Sequence, residues 1–119
     1  MYFNDRSIEH LILDITDKIG EIDDFMTNVD EPSLLRDEKL QAAITRNLQI
    51  ITEAMKYLPY YVQRQYPNVP WRQIVSMRNY LTHEYFRVPA SILWNTYKKD
   101  LPIFKSFLQD ISTSDKTSE

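Results

Sequence analysis

The sequence predicts an all-α protein, folded as an antiparallel bundle of four to five helices. Only one glycine occurs among 119 residues, so the turn signals of β-hairpins and the glycine-rich loops that cradle phosphates are missing. Apolar residues recur at i, i+3, i+4 and i+7 along most of the chain, which is the period of a helix with one buried face. Prolines and short polar segments separate these runs, and short connections favour antiparallel neighbours.

The first helix is predicted over about residues 7–28. Its apolar residues follow the helical rhythm: Ile8, Leu11, Ile12, Ile15, Ile19, Ile22, Phe25 and Met26. Pro32 disfavours helical geometry in the residue before it, so a break is expected there. A second helix is predicted from Leu34 or Asp37 to Tyr57, with one apolar stripe.

The second half of the chain predicts three further helical segments. Pro59 opens a short one, "PYYVQRQ", at a first-turn position where its missing N–H has no cost. Pro70 starts the third long helix, "PWRQIVSMRNYLTHEYF". The last helix carries apolar residues up to position 111, and Pro102 is expected to kink or restart it. Residues 1–111 thus form one domain, and residues 112–119 are predicted to be a flexible polar tail.

Composition narrows the class of protein. No apolar run approaches the length of a membrane span and the N-terminus lacks the order of a signal peptide, so a cytoplasmic protein is expected. Cysteine is absent, which excludes disulfides and thiolate chemistry. The net charge of −3 argues against a surface that coats nucleic acid generally. The charge is uneven, however: residues 1–61 carry a net −6 and residues 62–111 a net +4.

The basic half contains the octapeptide "RNYLTHEY", residues 78–85. Arg78 offers a permanently charged fork for phosphate, His83 can exchange a proton near neutrality, and Tyr85 offers a hydroxyl. Such a set suits RNA cleavage by attack of a 2′-hydroxyl on the neighbouring phosphate. At 100° per residue Arg78 and Tyr85 lie on nearly one face, whereas Arg78 and His83 diverge by about 140°. Either the helix unwinds near Thr82 or a second copy of the chain supplies part of the site.

No metal site or cofactor is predicted, because His10 and His83 are far apart in the sequence and no cysteine completes a ligand set. A purely structural interpretation of the octapeptide also stands. A histidine near a helix C-terminus can act as an electrostatic cap, and an arginine can be a surface ion-pair partner. The spacing Arg-xxxx-His-x-Tyr is too short to be specific by itself.

Its surroundings are more specific. Through "RNLQIITEAMKYLP", "YPNVPWRQIVSMRNYLTHEYF" and "LWNTYKKDLPIF", the sequence resembles the HepT-like proteins of the HEPN superfamily over about residues 8–110. The resemblance implies an all-α HEPN bundle that forms a homodimer, with two Arg-xxxx-His-x-Tyr motifs in one cleft. It also implies a metal-independent ribonuclease toxin that is paired with a nucleotidyltransferase antitoxin of the MNT or MntA type. That antitoxin attaches AMP to the motif tyrosine.

By position, the resemblance makes Arg78 and His83 the catalytic residues and Tyr85 the residue that receives AMP. Asn79 is the polar residue after the arginine. Two departures from the family pattern are Glu84 and Arg87, which stand where relatives often have glycine; arginine does not readily adopt the positive φ that glycine tolerates. Arg46 and Asn47, in "RNLQII", are candidates to line the cleft from the second helix or to be a surface polar pair.

The sequence therefore predicts a ribonuclease toxin of a type VII (HepT/MntA) toxin–antitoxin system. Its expected substrate is a structured RNA such as tRNA, and AMPylation of Tyr85 would neutralise it. The alternative is a non-catalytic HEPN bundle that binds a partner protein or nucleotide. The intact Arg78, His83 and Tyr85 set favours the enzyme, while the net negative charge and Glu84 favour the binding module.

Overall fold

The computed structural model describes residues 5–83 and 88–117, with side chains for 8–83 and 88–112, and all regular elements in these ranges are helical. The four long helices are α1 (Asp5–Phe25), α3 (Glu38–Lys56), α5 (Trp71–His83) and α7 (Leu101–Thr117). The three short ones are α2 (Glu31–Arg36), α4 (Tyr60–Gln65) and α6 (Ala90–Asn95). A π-helical segment, Thr96–Asp100, joins α6 to α7. The predicted all-α class is confirmed.

Helix α3 is the centre of the bundle. It packs against α1 on one side and α5 on the other, and also contacts α2 and α6; α7 packs against α1. The core side chains of α3 are Ile44, Leu48, Ile51 and Met55, and those of α1 include Ile15, Ile19 and Ile22. Burial of each such side chain stabilises the fold by roughly 1.5–3 kcal/mol. The apolar stripe of α3 is therefore buried in the core. The opposite face of α3 lies along the seam between α1 and α5.

Of the two predicted starts of the second helix, Asp37 is confirmed as the cap of α3, and Leu34 belongs to a separate short helix, α2. Asp37 has extended backbone angles (φ −115°, ψ 93°), so α2 ends there, and its carboxylate accepts a 3.0 Å hydrogen bond from Leu40 N to cap α3. Asp30 caps α2 in the same way, through Ser33 N at 2.9 Å. The predicted break before Pro32 is present, since no helix spans residues 26–30. Its predicted cause is wrong, because Glu31 is already helical and Pro32 lies in the first turn of α2, where it leaves no intrahelical hydrogen bond unmade.

The predicted restart at Pro102 is confirmed and takes the form of a π-turn. The Leu101 N–H donates to the carbonyl of Thr96, five residues back, instead of the usual four. Proline removes one backbone donor and clashes with the preceding turn of a regular helix. The wider turn before Pro102 lets the chain resume as α7 without a loop.

The first and last helices end at residues that differ from the predicted ones. Helix α1 ends at Phe25, earlier than expected, and Asn28 at φ 61° adopts the left-handed conformation that follows many helix ends. Helix α7 continues to Thr117, through most of the segment predicted to be a polar tail. No glycine or proline follows Pro102, so nothing in the local sequence stops the helix at residue 111. The flexibility of residues 112–119 stays a prediction.

Candidate active site

Helix α5 presents Arg78 on its inward face. Ile74 and Leu81 are buried in the core, and Arg78 follows the first by four residues and precedes the second by three. At 100° per residue, Arg78 lies within about 60° of both. The start of the helix is held by Trp71, whose Nε1 donates a 2.9 Å hydrogen bond to the carbonyl of Tyr66. The arginine is thus directed at α3 by the same helical phase that buries its neighbours.

The Arg78 guanidinium is held by the carboxylate of Glu53 on α3. Its Nε donates to Glu53 Oε2 at 2.5 Å and its Nη2 to Glu53 Oε1 at 3.2 Å, a bidentate pair. Nη1 donates to Asn79 Oδ1 at 3.1 Å. These bonds to described residues use three of the five guanidinium N–H groups. The guanidinium is therefore oriented on two sides and keeps two N–H groups for a further anion.

The ion pair keeps both partners charged at neutral pH. The hydrogen bond from Arg78 lowers the pKa of the Glu53 carboxyl, and a side-chain hydrogen bond with Tyr57 lowers it further. The hydrogen bond to Glu53 in turn raises the pKa of Arg78. The two side chains retain 25% and 36% of their exposure, so the pair is accessible from solvent. A phosphate that approaches Arg78 would contact a guanidinium that is already paired with the Glu53 carboxylate.

Glu53 is a site residue that sequence reasoning missed. It is separated from Arg78 by 25 positions, and although it lies within "RNLQIITEAMKYLP", the resemblance assigned no role to it. The one signal for Glu53 in the sequence was its position on the helix relative to the apolar residues. Glu53 does not lie on the apolar stripe of its helix, but many solvated glutamates share that property. Only the packing of α3 on α5 brings the two side chains together.

His83 is the last residue of α5 and its side chain is exposed. Helix α5 stays α-helical through this residue, so the predicted unwinding near Thr82 is not found. Two hydrogen bonds hold the end of the helix: Gln49 Nε2 donates to Leu81 O at 2.9 Å, and Thr82 Oγ1 donates to Arg78 O at 2.8 Å. With α5 regular, the 140° divergence remains, and Arg78 and His83 of one chain face different directions. The other predicted arrangement, in which a second copy of the chain supplies part of the site, stays a prediction.

A surface hollow of about 490 Å³ opens beside the ion pair, along the outer face of α3. Arg46 and Glu53 line it from α3, Asp14 from α1 and Thr82 from α5, with Tyr57 at the end of α3. Arg46 is exposed, as a residue that reaches ligand must be. The hollow therefore places one predicted cleft residue, Arg46, in the same depression as the carboxylate that holds Arg78.

Asn47 faces the other way. Its side chain is 5% exposed and donates hydrogen bonds to Lys18 O at 3.3 Å and to Glu21 Oε1 at 3.0 Å. It is not among the residues that line the hollow. A buried amide that joins α3 to α1 stabilises the bundle, since leaving it unpaired would cost about 1–3 kcal/mol. Of the two adjacent candidates, only Arg46 is placed to contact a ligand in this hollow.

The remaining predicted residue, Tyr85, lies outside the described residues, as do Glu84 and Arg87, the two departures from the family pattern.

Comparison with known proteins settles the family. The model of the family described as "Ribonuclease HepT-like" matches residues 15–111, a range that includes α5 and all of residues 78–85. The chain belongs to the HepT-like ribonuclease family. This membership confirms the resemblance seen in the sequence, the HEPN bundle as fold class, and the assignment of the protein as an enzyme of the ribonuclease class.

The HepT-like relatives align with most of the chain. A protein of Thermococcus cleftensis named "Probable ribonuclease HepT" is 39% identical over 100 residues, which cover 84% of this chain and 91% of that one. A protein of Methanocaldococcus jannaschii named as a "Putative RNase" is 31% identical over 100 residues, 84% of this chain and 92% of its own. Another with that name from the same organism is 31% identical over 117 residues, covering 95% and 97%. No solved structure matches the chain significantly.

In the parts of the chain that the structure describes, no helix combines the length and the apolar character that crossing a membrane requires.

Proposed function

We propose that this HepT-like protein is a metal-independent endoribonuclease toxin in which Arg78 binds the scissile phosphate and His83 transfers protons. The observation that carries the proposal is the placement of Arg78. It is oriented by Glu53 and Asn79, retains two N–H groups, and lies five residues before the exposed His83 on the same helix. An oriented guanidinium can bind two phosphate oxygens at once, which a lysine cannot.

The reaction needs only the groups of RNA, these side chains and water. The 2′-hydroxyl attacks the adjacent phosphorus, so an O2′–P bond forms and the P–O5′ bond breaks. His83 removes the 2′-hydroxyl proton as the base, and a water molecule protonates the leaving 5′-oxygen. The His83 imidazolium then returns its proton to the hydroxide so formed, which restores both groups. Arg78 stabilises the negative charge that accumulates on the phosphate oxygens in the transition state. The products are a 2′,3′-cyclic phosphate and a 5′-hydroxyl end.

The active form is proposed to be a homodimer. In one chain Arg78 faces α3 while His83 ends α5 on another side, so a single protomer does not direct both groups at one phosphate. A two-fold axis beside the end of α5 would bring Arg78 of one protomer toward His83 of the other, twice. Dimerisation therefore supplies a cleft that the isolated chain lacks.

Control of the toxin is proposed to act through Tyr85. A nucleotidyltransferase antitoxin of the MNT or MntA type would transfer AMP from ATP to its hydroxyl: the phenol oxygen bonds to the α-phosphorus and pyrophosphate leaves. The added phosphodiester is anionic, so it competes with RNA for Arg78. A toxin that its antitoxin neutralises by AMPylation belongs to a type VII toxin–antitoxin pair. The pair would act in the cytoplasm, and the RNA substrate would be tRNA.

A second candidate function is a non-catalytic module that binds a partner protein or nucleotide. The carboxylate of Glu53 occupies two of the N–H groups that a phosphate would use, which favours this alternative. The enzyme proposal predicts that RNA displaces part of this pairing. The binding proposal predicts ligand capture without any change in the RNA.

The deciding experiment incubates purified protein with tRNA in the presence of EDTA and maps the product ends. Wild type should leave 2′,3′-cyclic phosphates, and His83→Ala should lower the rate by about 10²–10⁴-fold while keeping its helical circular dichroism. His10→Ala is the matched control, because His10 is the other histidine of the chain and is exposed on α1. Equal rates for wild type and His83→Ala would refute the assignment.

A further inference from the structure

The short helix α4 and the turn before it expose three tyrosines. Tyr57, Tyr60 and Tyr61 are 54%, 71% and 45% exposed. The same segment buries Leu58 and Val62, at 2% and 3% exposure, so it is firmly attached to the core by its aliphatic residues. Aromatic rings usually bury most of their area when packing is their role. The exposure of three rings within five residues therefore indicates a surface that meets something else.

Cations accompany two of these rings. The Arg64 guanidinium carbon lies 5.1 Å from the centre of the Tyr60 ring, and Lys56 Nζ lies 5.6 Å from that of Tyr57. Both distances are within the range of a cation–π interaction. A cation covers one face of a ring, and the high exposure of Tyr60 leaves the remainder of that ring open to solvent. We name Tyr57, Tyr60 and Tyr61 with Lys56 and Arg64 the tyrosine platform.

The part of the sequence that contains the platform carries charges of one sign. Although the chain has 17 acidic residues, none occurs between Glu53 and Glu84. The same stretch contains Lys56, Arg64, Arg72 and Arg78. A stretch that carries basic and aromatic side chains and no acidic ones, inside an acidic protein, complements a polyanion whose bases can stack, and not an acidic or purely apolar partner.

The platform is continuous with the candidate active site. Tyr57 lines the hollow that also contains Glu53, and the Tyr57 side chain is one of the groups that lower the pKa of that carboxyl. Glu53 in turn holds Arg78. A chain of contacts therefore runs from the platform to the group proposed to bind the scissile phosphate.

We infer that the tyrosine platform binds unpaired nucleotides of the RNA substrate and leads the strand into the hollow beside Arg78. Unpaired bases stack on the tyrosine rings, while Arg64 and Lys56 contact the phosphates that join them. The inference rests on the proposed function in taking RNA as the substrate. It adds a substrate preference: an RNA with unpaired nucleotides next to the cleaved bond is favoured over a continuous duplex.

The test measures binding separately from cleavage. A fluorescein-labelled 2′-O-methyl RNA single strand lacks the attacking hydroxyl, so its anisotropy reports affinity even if the protein cleaves nothing. Tyr60→Ala should weaken binding by about 5- to 30-fold, and Tyr60→Phe, which keeps the ring, should bind nearly as wild type. Arg64→Ala should flatten the plot of log affinity against log salt by about 0.7. Lys39→Ala, which removes an exposed cation at the far end of α3, should leave that slope unchanged.

Cleavage kinetics supply the second readout. Platform variants should raise KM for an RNA with unpaired nucleotides and leave kcat near the wild-type value, because the platform binds substrate away from the reacting atoms. Unchanged affinity of Tyr60→Ala and Arg64→Ala for the single strand would overturn the inference, even if wild type cleaves RNA. A Tyr60→Ala variant that loses self-association but keeps RNA affinity would also overturn it and assign the surface to a second copy. If wild type binds the strand through the platform but cuts no RNA, the proposed function fails and the binding surface remains.

Discussion

Glu53 of α3 and Arg78 of α5 form a bidentate ion pair across the seam between the two helices, with Arg78 Nε 2.5 Å from Glu53 Oε2. The pair lies at the edge of the hollow and is partly exposed. It orients the arginine and at the same time occupies part of its hydrogen-bonding capacity. In the proposed mechanism Glu53 is therefore a positioning residue, and its removal is expected to affect both catalysis and stability.

Glu53→Gln is expected to lower kcat for RNA cleavage by about tenfold without raising KM. The amide no longer fixes the guanidinium at full strength, so the correct transition-state geometry is sampled less often. A neutral partner also competes less with substrate phosphate. Steady-state kinetics measure both constants, and Glu38→Gln, at the exposed start of α3, is the control. A rise in KM at constant kcat would contradict a positioning role.

The same pair should contribute a pH-dependent part of the stability. Because Arg78 lowers the pKa of Glu53 below 4.5, the folded state binds its proton less readily than the unfolded state. The stabilisation is therefore present above pH 4.5 and is lost as pH falls through the lowered value. Urea unfolding should show Glu53→Gln to be less stable than wild type at pH 7, with the difference disappearing in acid. A difference that grows in acid would be inconsistent with the ion pair.

Arg78→Lys should restore only part of the activity that Arg78→Ala loses. Lysine keeps the charge but cannot bond Glu53 and a phosphate through a planar fork. Cleavage rates for the two variants, measured at one salt concentration, give the comparison. Full activity of Arg78→Lys would mean that the position needs charge alone.

Subunit complementation tests the composite site. Arg78→Ala and His83→Ala proteins should each be inactive, but their mixture should recover about a quarter of wild-type activity after subunit exchange. Half of the dimers are then mixed, and each has one complete pair of Arg78 from one protomer and His83 from the other. The predicted dimer has two-fold symmetry, and its predicted interface includes α5 and α7, the third and last long helices. No recovery after verified exchange would place both groups in one protomer.

Tyr85→Phe should escape neutralisation. Co-expression with a cognate nucleotidyltransferase is expected to increase the intact mass of wild type by one AMP, whereas Tyr85→Phe should keep its unmodified mass and its activity, because it lacks the acceptor hydroxyl. Tyr80→Phe is a control within the same octapeptide. Neutralisation without a mass increase would point to inhibition by binding alone.

Asp100, the last residue of the π-helical segment, should destabilise the fold at neutral pH. Burial raises its carboxyl pKa above 3.8, with Lys99 acting weakly in the opposite direction. A raised pKa means that the folded state prefers the protonated acid, so stability is lost as pH rises through that pKa. Asp100→Asn is therefore expected to raise the Tm at pH 7 and to have no such effect below pH 3.8. Asp110→Asn, an exposed carboxyl on α7, controls for net charge.

Helical phase and proline placement let the sequence by itself determine the class of fold and the positions of the long helices. The apolar period of α1 and α3 predicted their buried stripes, and Pro102 predicted the restart of α7. These features are local, because a helix closes its own hydrogen bonds and needs only its own residues to define a face. The octapeptide, with its surroundings, likewise predicted the family that comparison confirmed.

Contacts between residues distant in sequence were decided only by the tertiary structure. Glu53 meets Arg78 because α3 packs on α5, and Asn47 turns toward α1 while its neighbour Arg46 turns to the hollow. A one-residue step along a helix rotates a side chain by about 100°, so adjacent polar residues can have opposite roles. Which of two such residues faces the core and which faces ligand depends on where neighbouring helices lie, and that is a property of the packed bundle.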